Sequence, residues 1–176
     1  MIQPGGEGHL ENIFAHGGEM GELVRTLDWS ATPVGAVDEW PQSLKTAVSI
    51  CLSSLYPIEI WWGEQYVRFY NDAYRPILGT TKHPQFLGRP GKECWGEIWD
   101  VIGPMLGSVR ETGKATWSED FPLFMTRNGY VEETYVTFSY APLRDEIGAV
   151  GGIFCACNET TERVLSERRL KTLRDL

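Results

Sequence analysis

The sequence predicts an α+β fold, a five-stranded antiparallel sheet with helices before, between and after its strands. Three observations carry this reading. The last third holds strand-like runs over 115–123, 131–141 and 149–157, and Asn128-Gly129 between the first two is a strong hairpin signal. Two short aromatic runs, 58–62 and 66–70, flank Gly63-Glu64 and read as another hairpin. The segments around these strands carry helical spacing and helix-stop residues instead.

In chain order, residues 1–20 are rich in Gly, include His9 and His16, and are expected to form a flexible or weakly helical lead. A short helix is expected over 21–27, before the turn-rich Asp28-Trp29-Ser30-Ala31-Thr32-Pro33. Asp38 is expected to cap the next helix, with Pro41 tolerated in the first turn, where backbone N–H groups have no helical partner. Leu44, Ala47, Val48, Cys51, Leu52 and Leu55 follow the three-four spacing of one buried face, and Pro57 ends the helix. Beyond the first hairpin, 71–78 reads as helical and closes at Gly79. Residues 83–95, broken by Pro84 and Pro90, read as irregular. A helix over 98–112 is expected to kink or break at Pro104 and to end at Gly113. In the middle strand of the last three, Val136, Phe138 and Tyr140 alternate with Tyr135, Thr137 and Ser139, so one face is bulky and apolar while the other bears hydroxyls. The turn Asp145-Glu146-Ile147-Gly148 leads to the last strand, which runs without a loop into a charged helix over 161–176.

Composition fits one globular unit: 176 residues, 42% of them hydrophobic, suffice to bury a core. No run is apolar enough for a membrane span, and the start lacks the basic-then-apolar layout of a secretion signal. Cys51, Cys94, Cys155 and Cys157 show no disulfide-scaffold spacing and read as free thiols of a cytoplasmic protein. A net charge of −8 gives nucleic-acid binding no electrostatic support. The charges of the final helix, Arg163, Arg168, Arg169, Lys171 and Arg174 among Glu162, Glu167 and Asp175, read as a solvated face. Glu119-Asp120 and Glu132-Glu133 read as strand-edge charges.

The order of helical cap, two strands, short helices, three strands and exit helix resembles the PAS domain. Phe69-Tyr70-Asn71-Asp72-Ala73-Tyr74 is similar to that family's step from second strand to first helix. Leu87-Gly88-Arg89-Pro90 is similar to its Gly-containing segment before the middle helices, and 145–150 to the turn before its fifth strand. Glu159-Thr160-Thr161-Glu162-Arg163 resembles the Asp-Ile-Thr-Glu-Arg signature that joins this strand to the linker helix, with Glu159 replacing Asp. Asn158, Thr160 or Thr161 is then the expected helix cap. The resemblance implies a lead over 1–20, a helical cap over 21–55, a PAS core over 56–160 and a signalling linker helix over 161–176. The run 28–35 with Trp40-Pro41-Gln42-Ser43-Leu44 is also similar to the opening of bacterial sensory histidine kinases that carry such a domain first.

The resemblance implies a ligand space between the inner sheet face and the short helices. Its candidate lining is Trp61 or Trp62, Tyr70, Asn71, Tyr74, Trp95, Trp99, Phe138, Tyr140 and Phe154, a cluster that taken alone also reads as plain core. Thr137 and Ser139 face outward if Phe138 and Tyr140 face in. The cofactor is unknown. Cys94 stands where the family's flavin photosensors carry Asn-Cys-Arg-Phe-Leu-Gln, but the companions are missing. Haem would fall to His83, beside Pro84 on a turn, where a surface histidine is expected. Cys155-x-Cys157 offers too few ligands for zinc. No kinase motif, ATP-binding glycine loop or hydrolase motif is present, so the domain is expected to be catalytically silent.

The implied function is sensing and chain pairing, with Glu159, Thr161 and Arg163 as the signal-transfer junction. Val164, Leu165, Leu170, Leu173 and Leu176 lie along the exit helix, and Leu170 and Leu173 would begin a coiled-coil seam that is weak near the domain. The expected partners are a second copy, held through cap and exit helix, downstream sensor or kinase domains of a longer protein, and a small molecule. The competing readings are a ligandless pairing scaffold, a helix folded back on its own sheet, and a small α+β enzyme.

Overall fold

The computed structural model describes residues 13–175. The sheet has the order β2-β1-β5-β4-β3, with β1 Ile58–Trp62, β2 Val67–Tyr70, β3 Thr116–Met125, β4 Glu132–Arg144 and β5 Val150–Glu159, every neighbouring pair antiparallel. The helices are α1 Gly18–Thr26, α2 Gln42–Ser53, α3 Arg75–Leu78, α4 Gly91–Cys94, α5 Trp99–Thr112 and α6 Thr161–Arg174. Among the described residues, no helix is long and apolar enough to cross a membrane.

Both faces of β1 and β2 are covered, which is why Ile58, Glu59, Ile60 and Trp61 are all buried. Register puts Glu59 opposite Tyr70 and Trp61 opposite Arg68 on the inner face, toward α3, α4 and α5. Ile60 and Phe69 pair on the outer face. There the N-terminal helices close over them: Trp29 stacks on Phe69 at 4.6 Å, and Trp40 meets both rings edge-on at 5.0 and 5.3 Å. Such aromatic contacts add to the area they bury. In β4 the buried set is Thr134, Val136, Phe138 and Tyr140, following the predicted alternation.

Several boundaries differ from the sequence reading, each for a tertiary reason. The expected lead of 1–20 includes residues 1–12, which lie outside the described residues. From Ile13 onward the segment is built into the fold, with Phe14 and Met20 buried. Helix α1 starts at Gly18 because the Asp72 carboxylate accepts from Glu19 N and Met20 N, both at 3.0 Å. Asp38 does not cap α2. It lies in the 3-10 turn Val37–Glu39, and Pro41 occupies the position before the first helical residue. The cap comes from Glu146 in the β4–β5 turn, which accepts from Ser43 N at 2.7 Å and Ser43 Oγ at 3.2 Å.

Helix α2 ends at Ser53 rather than running to Pro57, and Leu55 is 97% exposed instead of buried. Asn71 causes the stop by donating Nδ2 to the carbonyls of Cys51, Ser54 and Tyr56 at 3.0, 3.1 and 2.7 Å. Pro104 leaves α5 unbroken: it and Asp100, whose carbonyl it deprives of a partner, are on the exposed side. Gly113 closes α5 in the left-handed region, φ +63°. The stretch expected to be irregular holds α4.

Candidate functional site

The inner face and the short helices enclose a cavity with about 30 Å³ of room for water centres. Its sheet wall includes Glu59, Trp61, Phe138, Tyr140, Cys155 and Cys157, and its helical wall includes Tyr74, Ile77, Trp95 and Ile102. Cys155 lies opposite both Glu59 and Tyr140 in the ladders, so the wall is a consequence of register.

Glu59 joins this wall to a buried charge network outside the cavity lining. Arg68 bonds Glu59 through Nε, with both side chains at most 1% exposed. Its Nη1 donates to Cys94 Sγ at 2.7 Å. The guanidinium lies 5.3–6.0 Å from the rings of Tyr70, Trp61, Trp95 and Tyr74. Lys82, also buried, donates to the Cys94 carbonyl, pairs with Glu97 at 3.0 Å and sits 4.8 Å from the Trp95 ring. Burial pushes the Glu59 carboxyl up, opposed by Arg68 and Tyr74. Burial likewise pushes the Cys94 thiol up to about 11, so neighbouring cations do not make it a thiolate at neutral pH.

Of the predicted lining, Trp61, Tyr74, Trp95, Phe138 and Tyr140 form the cavity wall. The other four predicted residues stand elsewhere. Tyr70 lies beyond Arg68 and its hydroxyl bonds His83 Nδ1 at 2.9 Å, so His83 packs on the fold rather than standing free. Asn71 is a bracket whose Oδ1 accepts from Ile58 N and Tyr74 N at 3.2 and 3.0 Å, while Nδ2 serves the α2 end. Trp99 backs the wall, 6.3 Å from Trp61. Phe154 pairs with Ile60 and Ala141 on the outer face, where the alternation of β5 puts it.

The second constellation is the β5–α6 junction. Arg127, in the β3–β4 connection, grips both Glu159 oxygens at 2.7 and 2.6 Å and also donates to the Ile77 carbonyl at 3.2 Å. The Thr161 hydroxyl donates to Glu159 at 2.9 Å and accepts from Tyr135 N at 2.9 Å. Neither it nor Asn158 caps α6: the preceding position is Thr160, whose hydroxyl goes to Asp120 at 2.7 Å. Asp120 sits in a β-bulge at φ +45° and also accepts from Arg163 at 2.5 Å, which lowers its pKa. Glu133 pairs with both Arg168 nitrogens at 2.7 and 3.0 Å and accepts from the Tyr135 hydroxyl, holding its carboxyl down near 2.

Three of the four acidic residues read as strand-edge charges are therefore anchors, Asp120 and Glu133 for the exit helix and Glu132 for Arg127 at 3.2 Å, while Glu119 is exposed as expected. Arg163 and Arg168 tie α6 to the sheet, Val164 and Leu165 are half-buried, and Leu170 and Leu173 are 67% and 68% exposed. Sequence reasoning missed Glu59, Arg68 and Arg127. The available signal was a charged residue at an inward position of each of two aromatic strands.

No protein-family model matches the sequence, and no curated protein matches it. Solved structures do. The chain is similar to an RNA-binding light-oxygen-voltage receptor (TM-score 0.52, 18% identity), the match covering 80% of this chain and 39% of the receptor chain. It is similar to the PAS domain of a protein from Colwellia psychrerythraea (TM-score 0.50, 15% identity), covering 68% of this chain and 98% of that domain. It is also similar to VqmA in the phage VqmA–DPO complex (TM-score 0.52, 15% identity), with 74% and 59% covered.

Proposed function

Because this chain carries the PAS fold, we propose that it is a non-catalytic sensory domain that transmits the state of its interior to α6. The observation that supports this best is Arg127, which holds the Ile77 carbonyl at the cavity wall and the Glu159 carboxylate at the head of the exit helix. A shift of α3 pulls on the same guanidinium that fixes the junction. The domain divides into a cap over 21–55, a core over 56–160 and a linker over 161–176. Glu159, Thr161 and Arg163 transfer the signal within a cytoplasmic protein of the histidine kinase type.

Two copies pair through the cap and the exposed Leu170–Leu173 side of α6. Glu159→Ala in the longer protein uncouples output while the domain stays folded; unchanged output removes the residue from the mechanism. Solution mass tests pairing, and a strict monomer with and without 161–176 overturns it. The small size of the cavity favours a second reading, a ligandless pairing scaffold.

A further inference from the structure

The start of α1 is fastened to the core by a polar joint, and His83 stands beside it. The Asp72 carboxylate caps α1 by accepting from Glu19 N and Met20 N, both at 3.0 Å. Arg75 bonds the Glu19 carboxylate and lies 3.8 Å from Asp72. A Cβ at Gly18, the first residue of α1, would collide with the Asp72 carboxylate, so helix and core meet here in direct contact. Asp72, Arg75, Pro76, Gly79 and His83 line a single groove at this joint.

The other side of the His83 ring is held by Tyr70. Its Nδ1 bonds the Tyr70 hydroxyl at 2.9 Å, and the two rings meet edge-on at 5.8 Å. Tyr70 is buried, and burial pushes its pKa up, so the phenol keeps its proton. Among the described residues this nitrogen is the hydroxyl's one hydrogen-bond partner. The pair is therefore satisfied when Nδ1 is the bare nitrogen of a neutral imidazole, accepting from Tyr70.

A second proton on the ring makes Nδ1 a donor and leaves the buried Tyr70 O–H without an acceptor, which is costly. It also sets a positive charge against Arg75. Glu19 and Asp72 pull the other way, but both are already engaged, by Arg75 and by the α1 backbone. The neighbouring cation, Lys82, is committed to the Cys94 carbonyl and Glu97. Burial first, and then Arg75, hold the His83 pKa below the ordinary 6.5. Opening the joint returns the ring to water and to its ordinary pKa. The open form then binds more protons at about pH 6, so acid favours it.

We propose that His83 is a proton-sensitive latch: its neutral ring holds the α1 joint closed, and its protonation releases α1 from the core. The latch is separate from the cavity and from α6, and it stands or falls independently of their coupling. Amide exchange of the whole chain tests it, with protection in 18–26 taken relative to the free-peptide rate at each pH. From about pH 7.5 to about pH 5.5, protection in 18–26 is expected to fall several-fold while that of β4 and β5 holds.

His83→Gln, whose amide oxygen can accept from Tyr70 at either pH, is expected to abolish the fall. His16→Gln removes the exposed histidine that precedes α1 and is expected to leave the fall as in the wild type. The proposal is overturned if protection in 18–26 is independent of pH, or if it falls equally across the sheet. It is also overturned if His83→Gln keeps the fall or His16→Gln removes it. Should His83→Gln not fold, an NMR titration of the wild type decides. The α1 amide shifts must then follow the His83 ring through one midpoint, and a different midpoint overturns the latch.

Discussion

Ser43 donates its backbone N–H to Glu146 at 2.7 Å across 103 residues of sequence, so the last hairpin of the sheet caps the first turn of α2. The carboxylate satisfies an orphan donor of the helix, and the hydrogen bond from the Ser43 backbone lowers its pKa from the ordinary 4.5. A depressed carboxylate pKa contributes stability above the unfolded value and loses it as pH falls through the folded one. Glu146→Gln is therefore expected to melt below the wild type at pH 7, and the gap to close below about pH 4. A gap that persists unchanged at pH 3 would show that the carboxylate charge is not involved.

The Glu59–Arg68 pair has both members in the core. Removing either partner alone strands a buried charge, so Glu59→Leu and Arg68→Met are each expected to cost about 3–5 kcal/mol in urea unfolding. The double variant Glu59→Leu with Arg68→Met is expected to cost less than either single change. Additive losses around this double-mutant cycle would contradict the pairing.

Arg127→Met removes the link between Ile77, Glu132 and Glu159 at a site that is only partly screened from water. About 2 kcal/mol of stability should go with it. Hydrogen exchange should accelerate in 161–168 before it does in β1 or α1. Equal acceleration everywhere would mean that the residue serves only global stability.

Arg168 and Glu133 meet in solvent, so their pair should leave the melting temperature nearly unchanged when broken. Arg168→Ala is instead expected to raise exchange in the second half of α6. About 1 M salt, with its Debye length near 3 Å, should bring the wild type to the same rates. Salt-insensitive exchange in the wild type would argue for apolar docking of the helix.

The strands were legible because period-two alternation and the Asn128-Gly129 turn are local signals, as the buried Val136, Phe138 and Tyr140 illustrate. Trp61, Tyr74 and Trp95 stand in the cavity wall, a lining suggested by the resemblance to the PAS domain and not by strand or helix spacing, which left Trp61 and Trp62 as alternatives. Glu146 as the cap of α2 was not legible, since Asp38 satisfied every local rule for that position. Asn71 was legible as a motif residue but not as a bracket, because its partners are backbone carbonyls of another element. Arg68 was invisible as a core residue because strand patterns assign charges to solvent. What keeps it inside is Glu59, nine positions earlier, and the register that sets them on one face.

The strand order has a bearing on how the chain is made. β5, the last strand synthesised, lies between β1 and β4. Until Val150–Glu159 emerges, the nascent protein holds two separate hairpins, β1–β2 and β3–β4, each with an open edge toward the missing strand. Their union waits on long-range pairing, the slow kind of step in sheet assembly. A premature stop ahead of Val150 therefore yields two sticky half-sheets rather than a shortened domain, and the strand that leads into α6 is also the keystone of the sheet.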